Sequence, residues 1–239
     1  MEKEITLALQ QKFDEEFKKC RANIVAMNAV TSGGINANCK NPEALRTDLF
    51  QFSLTLKQGE ITNQKGSGRC WMFASLNTMR FRIMQKLNLD SFELSEAYTL
   101  FYDKLEKSNY FLENILETLD EETSSRLISW LLSGPLGDGG QWDMMCGLIE
   151  KYGVVPKAAM PETYNSSATR EMNSVMTEKL REFACILRRE YQSGKTMEEL
   201  RVMKEEMMQT IYNMLVICLG NPPKTFDFEV RDKIGRAHV

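Results

Sequence analysis

Asn63-Gln64-Lys65-Gly66-Ser67-Gly68-Arg69-Cys70-Trp71-Met72-Phe73-Ala74 is the stretch whose reading decides the fold. A glutamine precedes a cysteine by six residues, with glycines between them and an apolar run after. The pattern predicts a tight loop that hands a thiol to the first turn of a buried helix. The glycines permit the turn, and Met72, Leu76, Met79, Ile83 and Leu87 recur at three- and four-residue spacing, which predicts a packed helix. A thiol becomes a nucleophile only as its thiolate, and free cysteine has a pKa of about 8.5. A helix N-terminus carries roughly half a positive charge and favours the anion. Helices usually place acids in this first turn. Here the first two turns contain none, and the local charges, Lys65 and Arg69, are cationic.

Gln64 has a separate prospective role. Acyl transfer builds negative charge on the substrate carbonyl oxygen, and losing one fixed donor aimed at that oxygen costs about 3–4 kcal/mol in a well-studied protease. The Gln64 carboxamide and the Cys70 backbone N–H would supply two such donors. The plainer alternative is a solvated glutamine beside a small buried cysteine, the usual state of a free thiol. The glutamine, glycines and cysteine taken together favour the nucleophile.

These residues resemble the active-site segment of papain-like cysteine peptidases, and most closely that of the bleomycin hydrolase and aminopeptidase C family. The resemblance runs from near Met1 to about Val230. It continues in Glu93-Leu94-Ser95-Glu96-Ala97-Tyr98, in Gly137-Asp138-Gly139-Gly140-Gln141-Trp142-Asp143-Met144 and in Glu150-Lys151-Tyr152-Gly153-Val154-Val155-Pro156-Lys157. It implies an α+β fold of the papain-like kind: mostly the helical lobe, with a helical-hairpin insertion and the β-barrel half largely absent. It implies Cys70 as nucleophile, Gln64 as oxyanion-hole donor, and Gly139 and Gly140 as the pair on which a peptide substrate lies. A side chain at those glycines would keep an extended peptide away. The resemblance further implies peptide substrates shortened from their N-termini, a homohexamer for the whole enzyme, and neither metal nor other cofactor.

The mechanism needs a histidine to take and return protons, and a third group to orient it. The sole histidine is His238, within Ile234-Gly235-Arg236-Ala237-His238-Val239. That tail does not resemble the family and looks like a translated sequencing adapter, so His238 is expected to be disordered and without a role. The chain is therefore read as the N-terminal fragment of a longer enzyme, inactive alone. A non-catalytic helical binding or scaffold module with a relic active-site loop is the competing reading. Phosphate binding by Gly66-Ser67-Gly68-Arg69 is weaker, because the Walker pattern is absent.

The 239 residues are 43% hydrophobic and 26% charged, ordinary for a globular domain or two. A net charge of -3 gives no reason to expect nucleic-acid or membrane binding. The acidic start Met1-Glu2-Lys3-Glu4 is unlike an export signal, and the longest apolar run, 214–219, is too short to span a bilayer. The six cysteines, at 20, 39, 70, 146, 185 and 218, form no C-x-x-C pair. Free thiols in a cytoplasmic protein are expected.

Four regions follow. Residues 1–63 form an N-terminal helix and arm: one long stripe from Ile5 to Met27, a loop from Asn28 to Pro42, and a strand or extended arm over 48–57. Residues 64–160 form the lobe with the cysteine helix, a helix opened by Ser95, another over 109–119, and a helix over 141–152 stopped by Gly153 and Pro156. Residues 161–223 form the hairpin. One arm is Met172, Met176, Leu180, Phe183, Leu187 and Tyr191. The other is Leu200, Met203, Met207, Ile211, Met214 and Cys218, capped by Thr196 and Glu199. Residues 224–239 hold one unpaired strand, 224–230, and the foreign-looking tail.

Overall fold

Helices account for nearly all regular structure in the computed structural model, which describes residues 4–47, 51–56 and 59–238 and leaves aside the side chains of Leu45 and His238. The chain divides into two compact units, Met1–Leu56 and Lys57–Val239. The first contains α1 (Leu7–Lys19), α2 (Arg21–Gly33), α3 (Ile35–Asn38) and α4 (Pro42–Thr47). The continuous apolar stripe predicted one helix here, but Cys20 is extended and separates two. The expected loop after Asn28 is helical as far as Gly33 and again in α3. Neither α1 nor α2 buries a residue. Residues 51–56 are irregular; the rest of the expected strand or arm, 48–50 and 57, lies outside the described residues.

The second unit is built on α6 (Glu96–Glu117), a single helix where two were expected. It contains no glycine or proline, and Ala97, Leu100, Phe101, Phe111, Leu112, Ile115 and Leu116 turn one broad face inward. Ser95 caps it, its hydroxyl accepting from the Tyr98 N–H. Around α6 stand α5 (Cys70–Lys86), α7 (Arg126–Ser133) and α8 (Trp142–Tyr152), with the hairpin of α10 (Arg170–Gln192) and α11 (Met197–Leu219), against which α9 (Tyr164–Ser167) packs. The hairpin forms as its sequence predicts. Thr196 and Glu199 make the reciprocal capping box, and Gly194 turns the chain at φ 99°.

Both hairpin helices join the core of α6, through Met172, Met176, Leu180, Leu187, Leu200 and Ile211. Late in α11 the buried residues are Leu215 and Leu219 rather than the expected Met214 and Cys218, one position along. Beyond α11 the expected strand over 224–230 is reduced to β1 (Val230–Arg231). It is not unpaired: it runs antiparallel to β2 (Ala237–His238), with Val230 opposite His238. As far as His238 the tail is paired backbone across a turn in which Asp232 and Arg236 bond to each other, so the His238 backbone lies in a strand where a disordered residue was expected.

Glu96 opens α6 almost fully buried, and its Oε2 has no partner among the described residues. Burial pushes its carboxyl up to about 7, against the help of its own backbone N–H and with further push from Glu93 and Glu162. The folded state then binds a proton that the unfolded state has released, between about pH 4.5 and 7, so stability falls as pH rises through that window. Wild type should lose on the order of 2–3 kcal/mol between pH 5 and pH 8 relative to Glu96→Gln, whose amide carries no charge. Urea unfolding of both proteins at the two pH values checks this; parallel pH profiles would contradict it.

Candidate active site

Cys70 is the first residue of α5 and is exposed, while its neighbours Arg69 and Met72 are fully buried and Trp71 is half-buried. The segment 64–72 is thus pinned on both sides of a thiol left open. The arm before it is tied along α5, with Asn77 Nδ2 donating to Thr62 Oγ1 at 2.7 Å and Arg80 Nη2 to the Glu60 carbonyl at 2.8 Å. Lys65 turns the loop at φ 52°. The Gln64 carbonyl accepts from both the N–H and the hydroxyl of Ser67, and the Gly66 N–H donates to the Ser167 carbonyl at 2.9 Å.

The two groups expected to face the substrate oxygen have no partner among the described residues. Gln64 is half-buried, and no described residue bonds its carboxamide or accepts from the Cys70 N–H. The first turn of α5 has no acid, and no side chain caps it. The helix N-terminus is therefore left to the thiol and to whatever approaches it.

Arg69 departs from the sequence reading. It is not a free cation beside the thiol. Its guanidinium is buried and grips Glu162 through two bonds, 2.8 and 2.7 Å, while Nε donates to Ser67 Oγ at 2.8 Å. Burial opposes ionisation of Glu162, but Arg69 and the Ser166 hydroxyl outweigh it and hold the carboxyl below its ordinary range. This pair locks the start of α5 to the segment that leads into α9.

The expected ledge, Gly139 and Gly140, lies in the loop between α7 and α8, beside the cysteine segment. Trp71 Nε1 donates to the Asp138 carbonyl at 2.8 Å, and the Gly68 N–H donates to Asp138 Oδ2 at 2.9 Å. Lys107 Nζ donates to the Gly139 carbonyl at 2.7 Å and lies 5.5 Å from the Trp71 ring centre. The two glycines differ. A Cβ at Gly140 would meet Trp71 ring carbons at 2.5 Å, whereas one at Gly139 meets nothing within 4 Å. Packing against Trp71 therefore accounts for Gly140, and only Gly139 presents an open face.

Sequence reasoning missed the charged support beneath this loop. Fully buried Lys104 reaches the Gly137 carbonyl and Asp138 Oδ1, both at 2.7 Å, and nearly buried Asp103 pairs with Lys107 at 2.9 Å. Burial pulls the Lys104 ammonium down and pushes the Asp103 carboxyl up, each partly countered by the opposite charges. A lysine inside the apolar stripe Leu100-Phe101-Leu105 was the available signal. Glu162 had none. All six cysteines are free thiols, with Cys20, Cys39, Cys70 and Cys185 exposed. Among the described residues no group of three His, Cys, Asp or Glu is placed to hold a metal ion, and no helix is long and apolar enough to cross a membrane.

Gly140→Ala should lower stability by about 1–3 kcal/mol, because Trp71 must move and release the Asp138 carbonyl. Gly139→Ala should stay within about 0.5 kcal/mol of wild type. Chemical denaturation of the two variants measures both, and equal effects would contradict the assignment.

The chain matches the model of the Peptidase C1-like family over residues 4–239. It is 47% identical over 233 residues to aminopeptidase C of Listeria innocua, covering 98% of this chain and 52% of that protein. It is 46% identical over 187 residues to human bleomycin hydrolase, covering 77% of this chain and 41% of that protein. PepW of Lactobacillus rhamnosis HN001 superposes with a TM-score of 0.95 at 44% identity, over all of this chain and 53% of that one. The chain thus spans about half the length of these relatives. The mostly helical fold is papain-like, and the chain belongs to the Peptidase C1-like family of cysteine peptidases.

Proposed function

We propose that this chain carries the nucleophile half of a cysteine-type aminopeptidase acting on peptides. The observation that carries the reading is an exposed Cys70 at the first position of α5, between buried Arg69 and half-buried Trp71, with no acid and no side-chain cap at that helix end. The Cys70 thiolate attacks the scissile carbonyl carbon. The oxygen, now negative, takes hydrogen bonds from the Cys70 N–H and the Gln64 carboxamide, neither of which is bonded by a described residue. Gly139 offers open backbone for an extended substrate, beside Gly140 packed on the Trp71 ring. Collapse of the tetrahedral adduct expels the amine and leaves a thioester on Cys70, which water then hydrolyses.

Proton transfer in both halves calls for a base that the described side chains around Cys70 do not supply. We assign that histidine and its orienting asparagine to the part of the relatives that this chain does not match, together with most of the β-barrel lobe. On this reading the fragment alone is inactive, and the complete enzyme is a cytoplasmic homohexamer. Aminopeptidase action rests on the names of the relatives in Listeria innocua and other bacteria.

The test is hydrolysis of an aminoacyl amide. The protein encoded by the reading frame extended through the relatives' full length should be active, and Cys70→Ala should lower its kcat by at least about 10³-fold. The present chain should be no faster than its own Cys70→Ala variant. An extended protein indifferent to Cys70→Ala would overturn the proposal.

A further inference from the structure

Asp138 is the point where the two loops of the site meet, and its surroundings are unusually complete. Its Oδ2 accepts from the Gly68 N–H at 2.9 Å and the Thr169 hydroxyl at 2.6 Å. Its Oδ1 accepts from Lys104 Nζ at 2.7 Å and Asn173 Nδ2 at 2.6 Å. Its carbonyl takes the Trp71 indole N–H. A carboxylate has about four acceptor sites, so this one is saturated, entirely by donors. Gly68 comes so close that a Cβ there would lie 2.6 Å from Asp138 Cβ. Asn173 leaves its own Oδ1 buried without a partner while donating to this carboxylate.

One residue is therefore bonded to the second residue before Cys70, to the residue directly after it, and, through the chain, to the adjoining Gly139. The loops it joins are 70 residues apart in sequence. We propose that Asp138 is a positioning residue, fixing the substrate ledge at Gly139 in register with the Cys70 sulfur. It touches neither the thiol nor the substrate; it acts through Gly68, Trp71 and Gly139. Burial opposes its ionisation, but Lys104, Thr169 and Asn173 outweigh that and hold the carboxyl far below its usual range, so the anchor keeps its charge at any working pH. An asparagine would fit the space but would turn an NH₂ toward two of the four donors. The inference rests on the peptidase reading above and deepens it.

Two reagents separate register from general integrity. Iodoacetamide needs only the Cys70 thiol, whereas the peptidyl reagent, an aminoacyl chloromethyl ketone with the free α-amine that an aminopeptidase substrate carries, reacts well only if the ledge places its electrophile. In this chain, Asp138→Asn should lower the second-order rate of Cys70 with the peptidyl reagent by about tenfold or more, with the iodoacetamide rate within about threefold of wild type. Asn173→Ala, which removes one donor and strands no charge, should lower the peptidyl rate by about threefold and spare the other. It decides the matter if Asp138→Asn does not fold by circular dichroism. A fall of both rates together, or of neither, in the folded variants would overturn the positioning role and leave the peptidase reading standing. If wild-type Cys70 shows no preference for the peptidyl reagent, the peptidase reading itself fails and this inference with it.

Discussion

The buried pair between Arg69 and Glu162 is the constraint on which the site depends. Moving a guanidinium out of water costs several kcal/mol, recovered only when geometry is good and the remaining donors are satisfied. Arg69 meets those terms with two bonds to Glu162 and one to Ser67. Such a pair is weak evidence for stability but a strong fixer of register, because any slip of the helix start would strand a buried charge. Since Arg69 directly precedes Cys70, fixing the arginine fixes the sulfur. The thiol can then be exposed without being loose, as the proposed role of Cys70 requires.

From that anchor the site extends by close approach rather than by added elements. Gly68 lies against Asp138 and Gly140 against the Trp71 ring, so two loops distant in sequence interlock with almost no side-chain volume between them. Lys104 and Lys107 enter from α6 and donate to the carbonyls of Gly137 and Gly139 and, from Lys104, to the Asp138 carboxylate. The core of α6, α10 and α11 is the rigid body on which this polar layer sits.

The sequence discloses local structure well and distant pairing poorly, for physical reasons. Caps and stops are short-range hydrogen-bond and φ requirements, so Ser95, Gly153 and the Thr196–Glu199 box could be read directly. The break at Cys20 could not, because one extended residue leaves the spacing of Phe17, Cys20 and Ile24 undisturbed. The continuity of α6 was obscured by Lys104 and Ser108, polar residues in a buried stripe whose partners lie elsewhere in the chain or one turn back. In the site, Cys70 and Gln64 stand out by residue type and spacing, whereas the glycine pair is marked only by the family resemblance. The partners of Arg69 and Asp138 lie 93 and up to 70 residues away, a distance over which no periodicity carries information. The strand over 224–230 failed because a ladder is a property of two segments, and its partner is only the short stretch at 237–238.

The proposal turns on whether Cys70 at the start of α5 is more reactive than exposure alone would make it. Cys20, Cys39 and Cys185 are exposed as well and serve as internal controls. The most direct measurement is the rate of iodoacetamide modification at each of the six thiols, resolved by peptide mass spectrometry. The account predicts that Cys70 reacts at least about tenfold faster than those three. A Cys70 that reacts at their rate, or more slowly, would contradict it.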